Sequence, residues 1–261
     1  TKTDPDLQLL HRQHPIICVW DDHEFCDNSD PSQGKNHGQA GETDTWSTRM
    51  QNAKKAYFEW MPVREGAGGA GTLYRRFTFG KLADLLILDT RMEGRSTEAE
   101  PNGAPVPGAG FTTFDHAAAP GANAFLDPTR RLLSATQESW LQTQMQSSTA
   151  RWKLLGQQVM VGQLKFKGNP LSGDITKATA SQYLNPDQWD GYPIARQRLY
   201  NLLRRGGLTT MTGGAPINNT VILTGDIHTS WAMDITEDPN NPTGYMAVNN
   251  SMAVEFVAPS V

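Results

Sequence analysis

The sequence predicts an α/β fold in which helices pack outside sheets of mixed strand pairing. Short apolar runs rich in β-branched residues alternate along the chain with segments of helical apolar spacing. Some of those runs adjoin across tight turns, as hairpins do, so the pairing is not purely parallel. Two runs deliver acids and a histidine directly at their ends, where ligands gather in α/β proteins.

Taken in order, Ile16-Ile17-Cys18-Val19-Trp20 has the profile of a buried strand and runs into Asp21-Asp22-His23-Glu24. Thr45 to Met61 suits a helix: Ala53, Ala56, Tyr57 and Trp60 recur at helical spacing, Pro62 stops it, and Thr43 or Asp44 caps its start. Leu73 to Phe79 alternates like a strand, Leu82 to Asp89 reads as a buried one, and Gly80-Lys81 turns between them. From Gly94 to about Asp127 Gly, Pro, Ala and Thr dominate, the composition of a long functional or mobile loop. Pro128 is expected to open a helix carrying Leu132, Leu133, Trp140, Leu141 and Met145. Trp152 to Gly156 is a further strand, and Lys165 to Asp190 is polar and irregular. Ile194 to Leu203 is helical, with Gly206-Gly207 as its stop. Val221 to Thr224, Ser230 to Ile235 and Ala253 to Ala258 complete the strand set. With no internal repeat and no linker, one domain over residues 1–261 is expected.

Composition narrows the function. A chain of 261 residues can bury a substantial core, and 38% apolar residues with a mean hydropathy of -0.51 suit a globular protein with polar loops. A net charge of -4 and a pI near 5.8 supply no basic field, so a nucleic-acid-binding surface is not expected. No run approaches the roughly eighteen apolar residues of a membrane span. Cys18 and Cys26 form no CxxC pair, so neither a zinc ribbon nor a redox motif is supported. The opening TKTDPDLQLLHRQHP is neither a signal nor a transit peptide, and both chain ends resemble cuts through a longer protein.

The chemistry concentrates in two places. IICVW leads into Asp21-Asp22-His23-Glu24, with Asp27 and Asn28 just beyond; VILT leads into Gly225-Asp226-Ile227-His228. Hard cations take carboxylate oxygens, and transition ions also accept imidazole nitrogen. On an extended chain Asp-x-His puts both side chains on one side, which would let Asp226 and His228 share an ion. The bland alternative is a simple turn at Gly225-Asp226 with a structural histidine after it.

These motifs give the chain a resemblance to the PhoD-type alkaline phosphatases and phosphodiesterases of the calcineurin-like metallophosphoesterase superfamily. The matching residues are Trp20-Asp21-Asp22-His23-Glu24 and Leu223-Thr224-Gly225-Asp226-Ile227-His228-Thr229-Ser230-Trp231. Further likenesses in the same order are Ala56 to Pro62, Leu88-Asp89-Thr90-Arg91, Trp152 to Gln158 and Trp189 to Pro193. The resemblance implies a two-sheet β-sandwich flanked by helices, with a dinuclear or multinuclear metal site at the strand ends. Iron and calcium are the metals it implies, with zinc or manganese as alternatives. It implies metal ligands among Asp21, Asp22, Asn28, Asp226 and His228, with Asp22 and Asn28 competing for the superfamily's amide-ligand position. His23 would face the substrate phosphate as the catalytic group. Arg49, at the start of the following helix, could reach that phosphate or be an ordinary exposed helix-start arginine; Arg91 is a weaker candidate substrate contact, and a buried structural role is the default for it and for Gln158, while Trp20, Trp189 and Tyr192 are expected to be packing residues. The implied reaction is hydrolysis of a small phosphate mono- or diester, by an enzyme placed in the periplasm or secreted.

Motifs that precede these in the family have no counterpart here, so a partial, N-terminally truncated domain is expected, with the missing segment of the same protein as its partner. The rival reading is a degenerate domain that binds ligand or partner without turnover. An amide or lactam hydrolase would need denser histidine clusters, and no Gly-x-Ser-x-Gly elbow of a serine esterase appears.

Overall fold

The computed structural model describes residues 3–38, 41–69, 71–101, 112–114, 116, 124–167, 181–209, 214–237 and 251–259. Most of the glycine- and proline-rich stretch expected as a long loop lies outside them. Helix α1 spans Pro5–Gln13, α2 Trp46–Trp60, α3 Ala135–Ser147 and α4 Pro193–Arg205. The strands are β1 (Arg75–Phe79), β2 (Ala83–Ile87), β3 (Trp152–Gly156), β4 (Lys165–Lys167), β5 (Ser181–Tyr183), β6 (Thr220–Thr224), β7 (Trp231–Ile235) and β8 (Ala253–Val257).

Six strands form one mixed sheet in the order β1-β2-β3-β6-β8-β7. Its four inner strands, β2, β3, β6 and β8, run parallel, and antiparallel β1 and β7 close the two edges. The β1–β2 hairpin turns at Gly80, whose φ of 57° lies in the left-handed region that glycine enters without steric cost. β4 and β5 form a separate antiparallel pair. The sheet is thus the mixed α/β arrangement expected from the alternation of elements.

Side-chain alternation sorts the inner strands into two faces. On one, Leu86, Leu155 and Ile222 pack with Leu141 and Met145 of α3 and Leu199, Leu202 and Leu203 of α4 to make the main core. On the other, Val221 and Val254 are half-buried, while Leu223 and Phe256 are exposed. A second cluster forms around Trp20, whose ring meets Phe25, Tyr57 and Phe58 edge-on at centroid distances of 5.2, 5.3 and 5.9 Å. No helix among the described residues is long and apolar enough to cross a membrane.

Several local expectations are corrected. Residues 16–20 form no ladder: Ile16 and Ile17 are exposed, and the segment is tied by single bonds, Arg75 to the Cys18 carbonyl and Gln158 to the Trp20 carbonyl. Helix α2 is capped by Thr45, not by Thr43 or Asp44, and Trp60 points to solvent. Helix α3 begins after Pro128, because Asp127 closes a turn on Thr129 and Ser134 then caps the Gln137 amide at 3.0 Å. The stretch expected to be irregular contains β4, β5 and a 3₁₀ turn at Trp189–Gly191.

At the end of β2 away from the acidic motifs, Asp84 accepts from Arg76 at 2.7 Å and Ser148 at 2.5 Å. Burial acts to raise this carboxyl, but hydrogen bonds from Ser148, Thr78 and Arg76 outweigh it and hold it below the ordinary carboxylate value. A depressed folded-state pKa contributes stability above the unfolded value, near 3.9, and the contribution fades as pH falls through the folded one. The stability advantage of the wild type over Asp84→Asn should therefore be full at neutral pH and shrink below about pH 4. Urea unfolding across pH checks this; a gap that widens on acidification would contradict it.

Candidate metal centre

The carboxyl ends of the parallel strands converge with the loop after Trp20, and one residue ties them. The Gln158 side chain, just past β3, donates to the Trp20 carbonyl at 2.8 Å and accepts from the Thr90 amide and hydroxyl at 2.9 and 2.6 Å. Its own carbonyl accepts from Gly225 at 3.1 Å. Beside it, Asp89 accepts from the Trp20 indole at 2.9 Å and from the amides of Arg91 and Met92 at 3.0 and 2.7 Å. Gln137 of α3 exchanges two hydrogen bonds with the Asp89 peptide. The ends of β2, β3 and β6 and the Trp20 loop are thereby fixed to one another through buried polar contacts, which cost most when one partner is removed.

The first motif folds as a 3₁₀ turn over Asp22–Glu24 with a reciprocal cap: Asp21 accepts from the Asp22 amide, and Glu24 accepts from the Asp21 amide. Asp22 is buried, and its carboxylate accepts from the Asn28 amide at 2.9 Å. His23 is 71% exposed, with Nε2 3.9 Å from the Asp22 carboxylate. The second motif is a tight turn, closed by Ile227 donating to the Gly225 carbonyl at 2.8 Å. Asp226 and His228 have φ of 64° and 56°, and Asn28 has φ 45°; Asp, Asn and His are the non-glycine residues that enter this region most readily.

The two motifs meet. Asp21, Asp22 and Asp226 each offer a carboxylate oxygen, all three within 4.8 Å of one another. Asp22, His23 and Asp27 form a second such group, so Asp22 is common to both. Ligand oxygens lie about 2.3–2.6 Å from a calcium-like ion, so two on opposite sides of it are at most about 5 Å apart. The donor set fits a cation.

Arg91 lies at the middle of the acids, wholly buried. Its Nε donates to Asp21 at 2.7 Å, one terminal nitrogen to Asp187 at 2.8 Å and the other to Asp226 at 2.5 Å. Arg95 pairs with the same Asp187, and Gln188 donates to Asp226. Burial raises the Asp226 carboxyl to about 7; Arg91 opposes the rise, while Asp187 and Asp21 add to it. Burial likewise raises Asp21 against the pull of Arg91. Asp187 goes the other way: burial would raise it, but Arg91 and Arg95 together hold it low. A cleft of about 570 Å³ opens beside these groups, lined by Asn28, Lys35, Glu98, Asn185 and Ile227 among others.

The candidate residues therefore separate. Asp21, Asp22 and Asp226 converge, and His23 stands at their rim. Asn28 has its amide nitrogen turned to Glu98 at 3.2 Å. His228 is exposed and belongs to neither convergent group among the described residues; the reasoning from an extended Asp-x-His fails because the chain turns left-handed at both residues. Arg49 donates to the Phe25 carbonyl at 3.0 Å and faces Glu42 at 3.8 Å. Of the two readings of Arg91, substrate contact or buried structural residue, the structure has it buried among the acids, each of its three nitrogens donating to a carboxylate. Asp187, Gln188 and Arg95 were not singled out from the sequence; the Trp189 to Pro193 likeness begins two residues after Asp187.

Fold and centre together define a mixed α/β protein with a cluster of acidic side chains, of a geometry that fits a cation, at the carboxyl ends of its parallel strands. A model of the PhoD-like phosphatase family matches residues 1–261, and the chain belongs to that family. It is 33% identical over 240 residues to alkaline phosphatase D of Bacillus subtilis (strain 168), covering 91% of this chain and 35% of the relative. A solved structure described as "Structure of PhoD" superposes with a TM-score of 0.71 at 30% identity, over 98% of this chain and 42% of that one. The chain thus spans about a third of the length of the curated relative it matches.

Replacing Gln158 with Leu keeps the volume but strands the Trp20 carbonyl and the Thr90 amide. Unfolding in urea should show a loss of about 2–4 kcal/mol, and an unchanged midpoint would refute the tie.

Proposed function

We propose that this chain carries a metal-assisted site for hydrolysing small phosphate mono- or diesters. The observation that carries the reading is the meeting of Asp21 and Asp22 with Asp226, from motifs about two hundred residues apart, within 4.8 Å. Family membership supplies the substrate class, since the relative is named an alkaline phosphatase.

Asp21, Asp22 and Asp226 would hold the cation or cations, with Asp22 shared between two neighbouring donor groups. Cations bound there supply Lewis acidity to a phosphoryl oxygen and a nucleophilic water at workable pH. His23 projects from the rim beside Asp22 and acts as the proton donor to the departing alkoxide, the usual task of a positioned imidazole. The cleft beside Asn28 and Lys35 receives the esterified group. By the family resemblance, the protein works in the periplasm or outside the cell. Iron and calcium are the metals the resemblance favours, with zinc or manganese as substitutes.

Two substitutions and one substrate test this. With manganese and bis-p-nitrophenyl phosphate, Asp226→Asn should lower metal occupancy and turnover together. His23→Ala should leave metal bound and slow turnover about 10²–10⁴-fold, the range of general acid–base assistance. Wild-type rates in both variants would overturn the assignment. Loss of metal from His23→Ala would make His23 a ligand instead. Stoichiometric metal without any turnover in the wild type would favour a binding domain over an enzyme.

A further inference from the structure

Asp21 and Asp226 reach the centre from separate loops, and the frame at the strand ends fixes their backbone segments but not the separation of their carboxyl groups. The geometry points to Arg91, anchored by Asp187, as the positioning residue that sets the separation of Asp21 and Asp226. This inference rests on the proposed reading of the centre.

A guanidinium is planar and presents its donors as a rigid fork, so three acceptors bound to its three nitrogens are fixed relative to one another. Here the acceptors are Asp21 at 2.7 Å, Asp187 at 2.8 Å and Asp226 at 2.5 Å, with Asp22 also 3.9 Å from the nitrogen that serves Asp226. The fork cannot drift along with its partners. The Arg91 amide is bound by Asp89 at 3.0 Å, and Asp89 is itself held by Trp20 and Gln137.

Asp187 is the other fixed point. It is 2% exposed, its amide donates to Asn185 at 3.0 Å, and Arg95 contacts both its carboxylate and, at 2.9 Å, its carbonyl. By taking one terminal nitrogen of Arg91, it stops the guanidinium from closing fully onto the two ligand carboxylates. Asp187 thus acts through Arg91, and Arg91 through Asp21 and Asp226.

A lysine at position 91 would keep the charge and lose the fork, which separates positioning from simple neutralisation. Arg91→Lys and the isosteric Asp187→Asn should be compared with wild type by manganese calorimetry, bis-p-nitrophenyl phosphate kinetics and amide hydrogen exchange. Positioning predicts that Arg91→Lys loses about 10–100-fold in kcat and in manganese affinity, as removal of an orienting partner typically does. KM should change far less, and the amides of residues 20–28 and 225–228 should exchange faster together while the sheet stays protected. Asp187→Asn should move the same quantities in the same direction, and it keeps the test open if Arg91→Lys does not fold. Wild-type exchange in both segments, with wild-type kcat and affinity, in Arg91→Lys would overturn the inference and leave Arg91 as a neutralising charge. A wild type that neither binds manganese nor turns over substrate would sink the functional reading alone, and joint loosening of the two segments would still decide this one.

Discussion

Four carboxylates, those of Asp21, Asp22, Asp187 and Asp226, gather around the Arg91 guanidinium at one end of the sheet. Arg95 is the second cation in contact, on Asp187, so four acids stand against two bases. At an effective dielectric near 20, unit charges 4 Å apart interact by about 4 kcal/mol, so the acids repel one another wherever a guanidinium does not stand between them. Burial is the main reason Asp226 is drawn up to about 7; Arg91 opposes the rise, and the neighbouring Asp187 and Asp21 add to it. A cation would relieve both strains at once.

The backbone segments that carry the acids are held by buried polar side chains at the strand ends. Gln158, Asp89 and Gln137 do not touch the acids' charge; they fix the peptide segments from which the acids project. The parallel order of β2, β3 and β6 places those segments side by side, and helix α3 braces them from the core face through Gln137. The strand order thus turns sequence-distant residues into neighbours. The Trp20 ring completes the frame, tying the first loop to Asp89 and to the aromatic cluster under α2.

Much of this was legible in the sequence, in proportion to how local its cause is. Trp152 to Gly156 was readable to the residue, and β6, β7, β8, α4 and the Gly80 turn to within a few positions, because apolar spacing and glycine punctuation act over a handful of residues. The run before Asp21 misled: IICVW has strand composition, but strand formation needs a partner ladder, and single hydrogen bonds replace it here. The start of α3 was misplaced because a proline signal competed with a better serine cap. Within the centre, the two acidic motifs were visible as wording, whereas the left-handed turn at Asp226 and His228 was not, and it separated two residues that an extended chain would have paired. The burial of Arg91 was the default reading of its place in a likeness; its acid partners were not legible, since one of them, Asp187, lies 96 residues further on.

The account stands on Asp21, Asp22 and Asp226 forming one cation-binding centre. Anomalous diffraction from crystals of this chain soaked in manganese measures that directly. The strongest anomalous peak should lie between the carboxylates of Asp22 and Asp226, within about 2.6 Å of an oxygen from each. Manganese bound elsewhere, with those two carboxylates in contact only with Arg91 and Gln188, would contradict it.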